Sequence, residues 1–176
     1  TNTWYHIAIV RSGSNMTLFI DGASANTGTN SNNFTSTVGT IGARYSRDQQ
    51  YFTGYIEDFR ITEDLSRYPF VPPEETLTAV TNTVLLACHS DSLTADGSGN
   101  HTLTSHGNVA VSNYAPFTGG KSIYFDGTGD YISIPTSTDW DINTTNYTFE
   151  AWVSIADGDT SYNTIFSTHE PNSPYY

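Results

Sequence analysis

Residues 52–68 read Phe52-Thr53-Gly54-Tyr55-Ile56-Glu57-Asp58-Phe59-Arg60-Ile61-Thr62-Glu63-Asp64-Leu65-Ser66-Arg67-Tyr68, and residues 147–153 read Tyr147-Thr148-Phe149-Glu150-Ala151-Trp152-Val153. Both runs are dominated by aromatic and β-branched residues, the types that fit a pleated, half-buried strand. Working outward, Trp4 to Arg11 alternates Trp4, His6, Ala8, Val10 against Tyr5, Ile7, Ile9, Arg11. Ser12-Gly13-Ser14-Asn15 turns that run, Met16 to Ile20 returns, and Asp21-Gly22 follows as a tight-turn pair, so the two segments read as a hairpin. Residues 23–36 read as a polar loop, and residues 38–43 and 54–61 as strands. After the prolines of Pro69-Phe70-Val71-Pro72-Pro73-Glu74-Glu75, further strands are expected near residues 83–88, 101–104, 108–112, 121–126, 130–134, 147–155 and 163–167. Short strands at roughly 8–12-residue spacing, separated by Gly, Asn and Asp, predict an antiparallel sandwich.

Composition bounds the partners. The chain of 176 residues is long enough for one sandwich core. Its 18 acidic residues against six basic ones give a formal charge of −12. Such a chain lacks the basic stripe that nucleic acid requires. The apolar runs are far too short to insert into a membrane. Cys88, the single cysteine, cannot form an internal disulfide and reads as a small core residue.

Taken together, the segments resemble the laminin-G-like family of concanavalin A-like jelly-roll sandwiches. Tyr124-Phe125-Asp126-Gly127-Thr128-Gly129-Asp130-Tyr131-Ile132 and Tyr147 to Val153 look like the pattern that opens such a domain. Trp4 to Arg11, Leu18-Phe19-Ile20-Asp21-Gly22 and Phe52 to Ile61 look like the pattern that closes it. Here the closing pattern comes first. The resemblance therefore implies two half-repeats: the C-terminal half of one repeat at residues 1–68, a Pro-rich linker at 69–80, and the N-terminal half of the next at 81–176. The joint is similar to those between tandem repeats in fibre-like structural proteins of marine phages. The middle strands of the family, expected between Thr164-Ile165-Phe166-Ser167 and Trp4-Tyr5-His6-Ile7, are missing. Either neighbouring repeats or copies of the chain supply them, or the two halves pack together as one permuted sandwich.

Candidate chemistry is sparse. Glycoside hydrolases of this sandwich would need Glu-x-Asp-x-Glu on one strand; instead Glu57 and Asp58 are adjacent and are expected on opposite faces. No histidine or cysteine grouping has zinc spacing. The expectation is that the protein is not an enzyme. Calcium is the metal considered, with Asp96 and Asn100 in Asp96-Gly97-Ser98-Gly99-Asn100 as ligands and Asp126-Gly127-Thr128-Gly129-Asp130 as the weaker loop, because hard cations take clustered oxygens. Trp4 and Trp152 are expected to point into the core. For sugar stacking the candidates are Trp140, between two carboxylates in a polar loop, and Tyr45 and Tyr51 around Ser46 to Gln50. The resulting expectation is a non-catalytic carbohydrate-binding or adhesion module of a repetitive extracellular or virion-surface fibre protein. Its partners would be a cell-surface polysaccharide or glycan and neighbouring repeats. The alternative is a purely structural repeat without a small ligand.

Overall fold

A computed structural model describes residues 3–33, 36–44, 50–63, 71–140, 146–156 and 162–169. Its elements in chain order are β1 (Tyr5–Ser12), β2 (Asn15–Ile20), β3 (Ala23–Thr29), β4 (Val38–Ile41), β5 (Thr53–Thr62) and β6 (Thr83–Ala87). They continue with β7 (Thr104–His106), β8 (Ala110–Ser112), β9 (Ser122–Asp126), β10 (Tyr131–Ile134), β11 (Tyr147–Ile155) and β12 (Phe166–His169). The one helical element among the described residues is a 3-10 turn, Thr138–Trp140. The protein is all-β, as the strand-rich composition requires.

Two antiparallel sheets face each other. The larger has eight strands in the order β3-β2-β1-β11-β5-β9-β8, with β6 also pairing β5, and the smaller runs β12-β4-β10-β7. Strands from the two ends of the sequence are interleaved in both sheets. β11 lies between β1 and β5, with Ile9 opposite Phe149 and Ile61 opposite Phe149 on the other side. In the smaller sheet β4 lies between β12 and β10. Between the sheets sits one apolar core that includes Ile41, Phe52, Ile56, Phe59, Leu85, Ile123, Phe125, Ile132, Trp140 and Val153. Each of these large side chains contributes roughly 1.5–3 kcal/mol by leaving water.

The larger sheet is covered on its other face as well. Residues 71–82 reach over β5 through Arg60 Nη1, which donates to Thr78 O at 2.9 Å, and Leu77 N–H, which donates to Asp58 Oδ2 at 2.7 Å. Residues 113–121 lie over β5 and β11, where Phe117 meets the Trp152 ring edge-on at 5.4 Å. This second cover accounts for the buried polar side chains His6, Glu57, Asp58, Arg60 and Glu150. Trp152 and Trp4, expected in the core, stand half-buried on this outer face, while Ala151 and Val153 point inward. Alternation separates the two faces of a strand without saying which one meets the other sheet.

Two further expectations are revised. Residues 23–29, read as a loop, form β3, an edge strand whose side chains are all exposed. With both faces in water there is no apolar alternation for the sequence to display. Glu57 and Asp58 do not simply alternate. Asp58 adopts φ of 55° at a β-bulge between β5 and β11, which breaks the period of two.

Candidate functional site

The sequence-designated residues do not come together. Trp140 is completely buried; its indole N–H donates to Pro135 O at 2.8 Å and its ring packs 4.8 Å from His101. No face of it is available to a sugar, because the polar loop that carries it folds into the 3-10 turn and tucks the ring under the sheet. Tyr51 is half-buried beside Phe52. Tyr45 lies outside the described residues.

The proposed calcium loop is a self-capped turn. Asp96 Oδ1 accepts hydrogen bonds from Leu86 N–H (2.8 Å) and Ser98 N–H (2.9 Å). Its Oδ2 accepts from Ser98 Oγ (2.7 Å) and His101 N–H (3.0 Å). Asn100 turns its Nδ2 toward Thr83 O at 3.4 Å. A cation would have to displace three backbone donors, so these residues do not fit calcium. The second loop is similarly engaged: buried Asp130 accepts from Asn108 N–H (2.5 Å) and Asp126 N–H (2.9 Å). No three His, Cys, Asp or Glu side chains among the described residues are placed to share a metal ion.

What the structure does assemble is a row of aromatic rings on the outer face of the larger sheet. β5 and β9 pair so that Tyr55 is opposite Tyr124, and side chains directly opposite share a face. Their ring centroids are 5.1 Å apart. Tyr114, from the segment following β8, stands 4.9 Å from Tyr55, and Trp4, just before β1, stacks on Tyr114 at 5.3 Å with planes 30° apart. All four rings are half-buried. The Tyr114 backbone is fixed from both sides: Ser122 Oγ donates to its carbonyl at 2.5 Å and its N–H donates to Ser112 Oγ at 3.0 Å. Exposed Asn113, in contact with Lys121, supplies polar groups beside it. Sequence reasoning missed this platform because its members come from four separate segments. Only the Tyr55 and Tyr124 positions at matching strand register could have hinted at it.

Beside the platform lies an acidic pair with unusual surroundings. Glu57 is opposite Trp152 in the ladder and fully buried, and neither of its oxygens accepts a hydrogen bond from a described residue. Burial pushes its carboxyl from 4.5 up to about 8, with the neighbouring Asp58 charge adding to the rise. Asp58 rises from 3.8 to about 7, again chiefly by burial, against the lowering effect of the Leu77 N–H bond and Arg60. Glu150, by contrast, is held by Arg60, whose Nη2 and Nε lie 2.5 and 3.0 Å from Oε1, and its Oε2 is 3.4 Å from His6 Nε2. Charged groups at that depth are tolerated when paired and bonded. Glu57 lacks such a partner and is best accommodated neutral.

With this geometry in view, residues 1–66 are similar to the laminin G family model described as Concanavalin A-like lectin/glucanases superfamily. No curated protein and no solved structure matches the chain. The match covers β1 to β5 and agrees with the two-sheet sandwich; it supports a laminin-G-like fold and, coarsely, a carbohydrate-binding or adhesion-type module. Among the described residues no helix is long and apolar enough to cross a membrane.

Proposed function

We propose that the chain is a non-catalytic carbohydrate-binding module of an adhesive, repetitive protein displayed outside the cell or on a virion. The observation that carries this reading is the half-exposed row Trp4, Tyr114, Tyr55 and Tyr124. Aromatic rings held side by side offer flat apolar faces to the C–H faces of successive pyranoses, while Asn113 and the tyrosine hydroxyls meet the sugar hydroxyls. The strongly acidic chain resists nonspecific association with other anionic surfaces, which suits binding by shape. In this proposal residues 1–68 and 81–176 are halves of successive repeats, and the interleaved strand pairings are those that join one half to its complement.

The experiment is binding of the purified chain to a glycan array and to immobilised polysaccharides, with Trp4→Ala and Tyr124→Ala alongside. Retention of one polysaccharide class, weakened at least tenfold (about 1.4 kcal/mol) by either substitution without a change in fold, supports the reading. No retention on any polysaccharide, or retention indifferent to both substitutions, overturns it and leaves the structural-repeat reading.

A further inference from the structure

The smaller sheet does not extend across the whole of the larger one. Beyond β12 a groove of about 460 Å³ opens between the sheets, lined by Ile7, Ile9, Met16, Phe149, Phe166 and Thr168. Its floor is apolar and partly exposed; Ile9 is 36% accessible. Its wall is an edge strand, because among the described residues β12 pairs only with β4. The register fixes which backbone groups that edge presents. Gly42 N–H donates to Ile165 O at 2.9 Å, and Ser167 lies opposite Thr40. Antiparallel ladders alternate, so Ile165 and Ser167 turn their backbone toward β4, whereas Phe166 and Thr168 turn N–H and C=O away from it, along the mouth of the groove. An apolar floor next to an open ladder edge is the arrangement that accepts an added strand.

We propose that this groove binds an extended segment of another polypeptide, which adds beside β12 as a fifth strand of the smaller sheet. Its alternate side chains are apolar and descend onto Ile7, Ile9 and Met16. Its flanks are basic, to match a chain with 18 acidic and six basic residues. The occupant is a free segment and not the edge of a second folded copy. β2 and β3 continue the larger sheet past β1, and β12 packs over β11 through Phe166 and Phe149, 5.3 Å apart. A second sandwich brought edge to edge with β12 would carry its own projecting β1-β2-β3 shelf into the same space. A lone strand meets no such obstacle. This site is on the opposite face of the larger sheet from the aromatic row, so the two proposals stand or fall separately.

The test uses a fluorescein-labelled peptide of sequence Lys-Lys-Val-Thr-Ile-Thr-Val-Lys-Lys, followed by anisotropy, with hydrogen exchange on the unlabelled complex. Saturable binding is expected, together with slowed exchange at the Phe166 and Thr168 amides. A peptide with serine in place of Val and Ile should bind at least tenfold more weakly. Thr168→Pro removes an outward-facing donor that β4 does not use, and Ile9→Asp puts a charge on the floor; each should weaken binding at least tenfold, while Trp4→Ala leaves it unchanged. The proposal is overturned by absence of saturable binding, by equal affinity for the serine peptide, or by unprotected Phe166 and Thr168 amides in the complex. Protection of these amides that instead rises with protein concentration, with dimers in sedimentation, assigns the edge to a second copy and also overturns it.

Discussion

Glu57→Gln isolates the least satisfied group in the fold. The parent side chain is fully buried and unbonded among the described residues, and Asp58, Arg60 and Glu150 are the charged groups around it. Its folded carboxyl titrates at about 8, against 4.5 for an ordinary one. Over that window the native state keeps a proton that the unfolded chain has already released. Stability is therefore greatest below pH 4.5, falls as pH rises toward 8, and levels off above it. Each pH unit within the window is worth about 1.4 kcal/mol per group, so Glu57 alone sets a ceiling of about 5 kcal/mol. Relaxation of the covering segment should bring the measured loss to roughly 2–4 kcal/mol. Glutamine keeps the shape and cannot ionise. The variant should match the parent near pH 4.5 and exceed it by that amount at pH 8. Urea unfolding followed by tryptophan fluorescence at half-unit pH steps measures both curves. Carboxylates stabilised by partners, such as Glu150 with Arg60, contribute the opposite slope, and the difference between parent and variant cancels them. A parent and variant whose stabilities run parallel from pH 5 to 8 would refute the assignment of Glu57 as a buried neutral acid.

Asp96→Ala removes the acceptor of three backbone N–H groups and the Ser98 hydroxyl, and should lower stability by about 2–4 kcal/mol; thermal melts should show the same drop with calcium and with chelator, and a drop confined to calcium-containing buffer would mean that the carboxylate binds the ion. Gly42→Ala should cost about 2–4 kcal/mol, because Gly42 sits at φ 84° and a Cβ there would come within 2.4 Å of Phe125 Cε1; an equilibrium unfolding curve superimposable on the parent's would contradict it.

Most of the fold was legible because strand alternation and turn residues report local geometry directly. β1, β2, β5 and β11 lie within a residue or two of their expected limits. β3 was not legible, since Ala23 to Thr29 buries nothing. Nor could the sequence predict that the strands of its two ends would interleave; the choice between trans pairing and one closed sandwich depends on which complementary half is nearest, a property of the chain in space. The sites fared worse. Trp140 looked exposed because its neighbours are Asp139 and Asp141, but a large ring beside polar residues can equally be the anchor that holds a loop down, and the Pro135 carbonyl completes it. Asp96 looked like a cation ligand for the same reason that it caps a turn: both uses require several donors or ions around one carboxylate.

The acidic pair and the aromatic row are physically joined. Residues 113–121 carry Tyr114 on the platform, and the same segment passes over Glu57 so closely that a Cβ at Gly120 would lie 2.5 Å from Oε1 and 3.2 Å from Ala115 Cβ. Only glycine lets that backbone approach. When Glu57 is neutral the segment rests on a hydrogen-bonding acid; when it ionises, an unpaired charge lies beneath a tightly packed backbone, and moving the segment outward is the direct way for water to reach it. Tyr114 would move with it, parting from Trp4 and Tyr55. Tyr114 ring signals in NMR spectra of the parent should therefore shift between pH 6 and 9, and remain fixed over that range in Glu57→Gln. Signals that move alike in both proteins would show that the platform is indifferent to the acid beneath it.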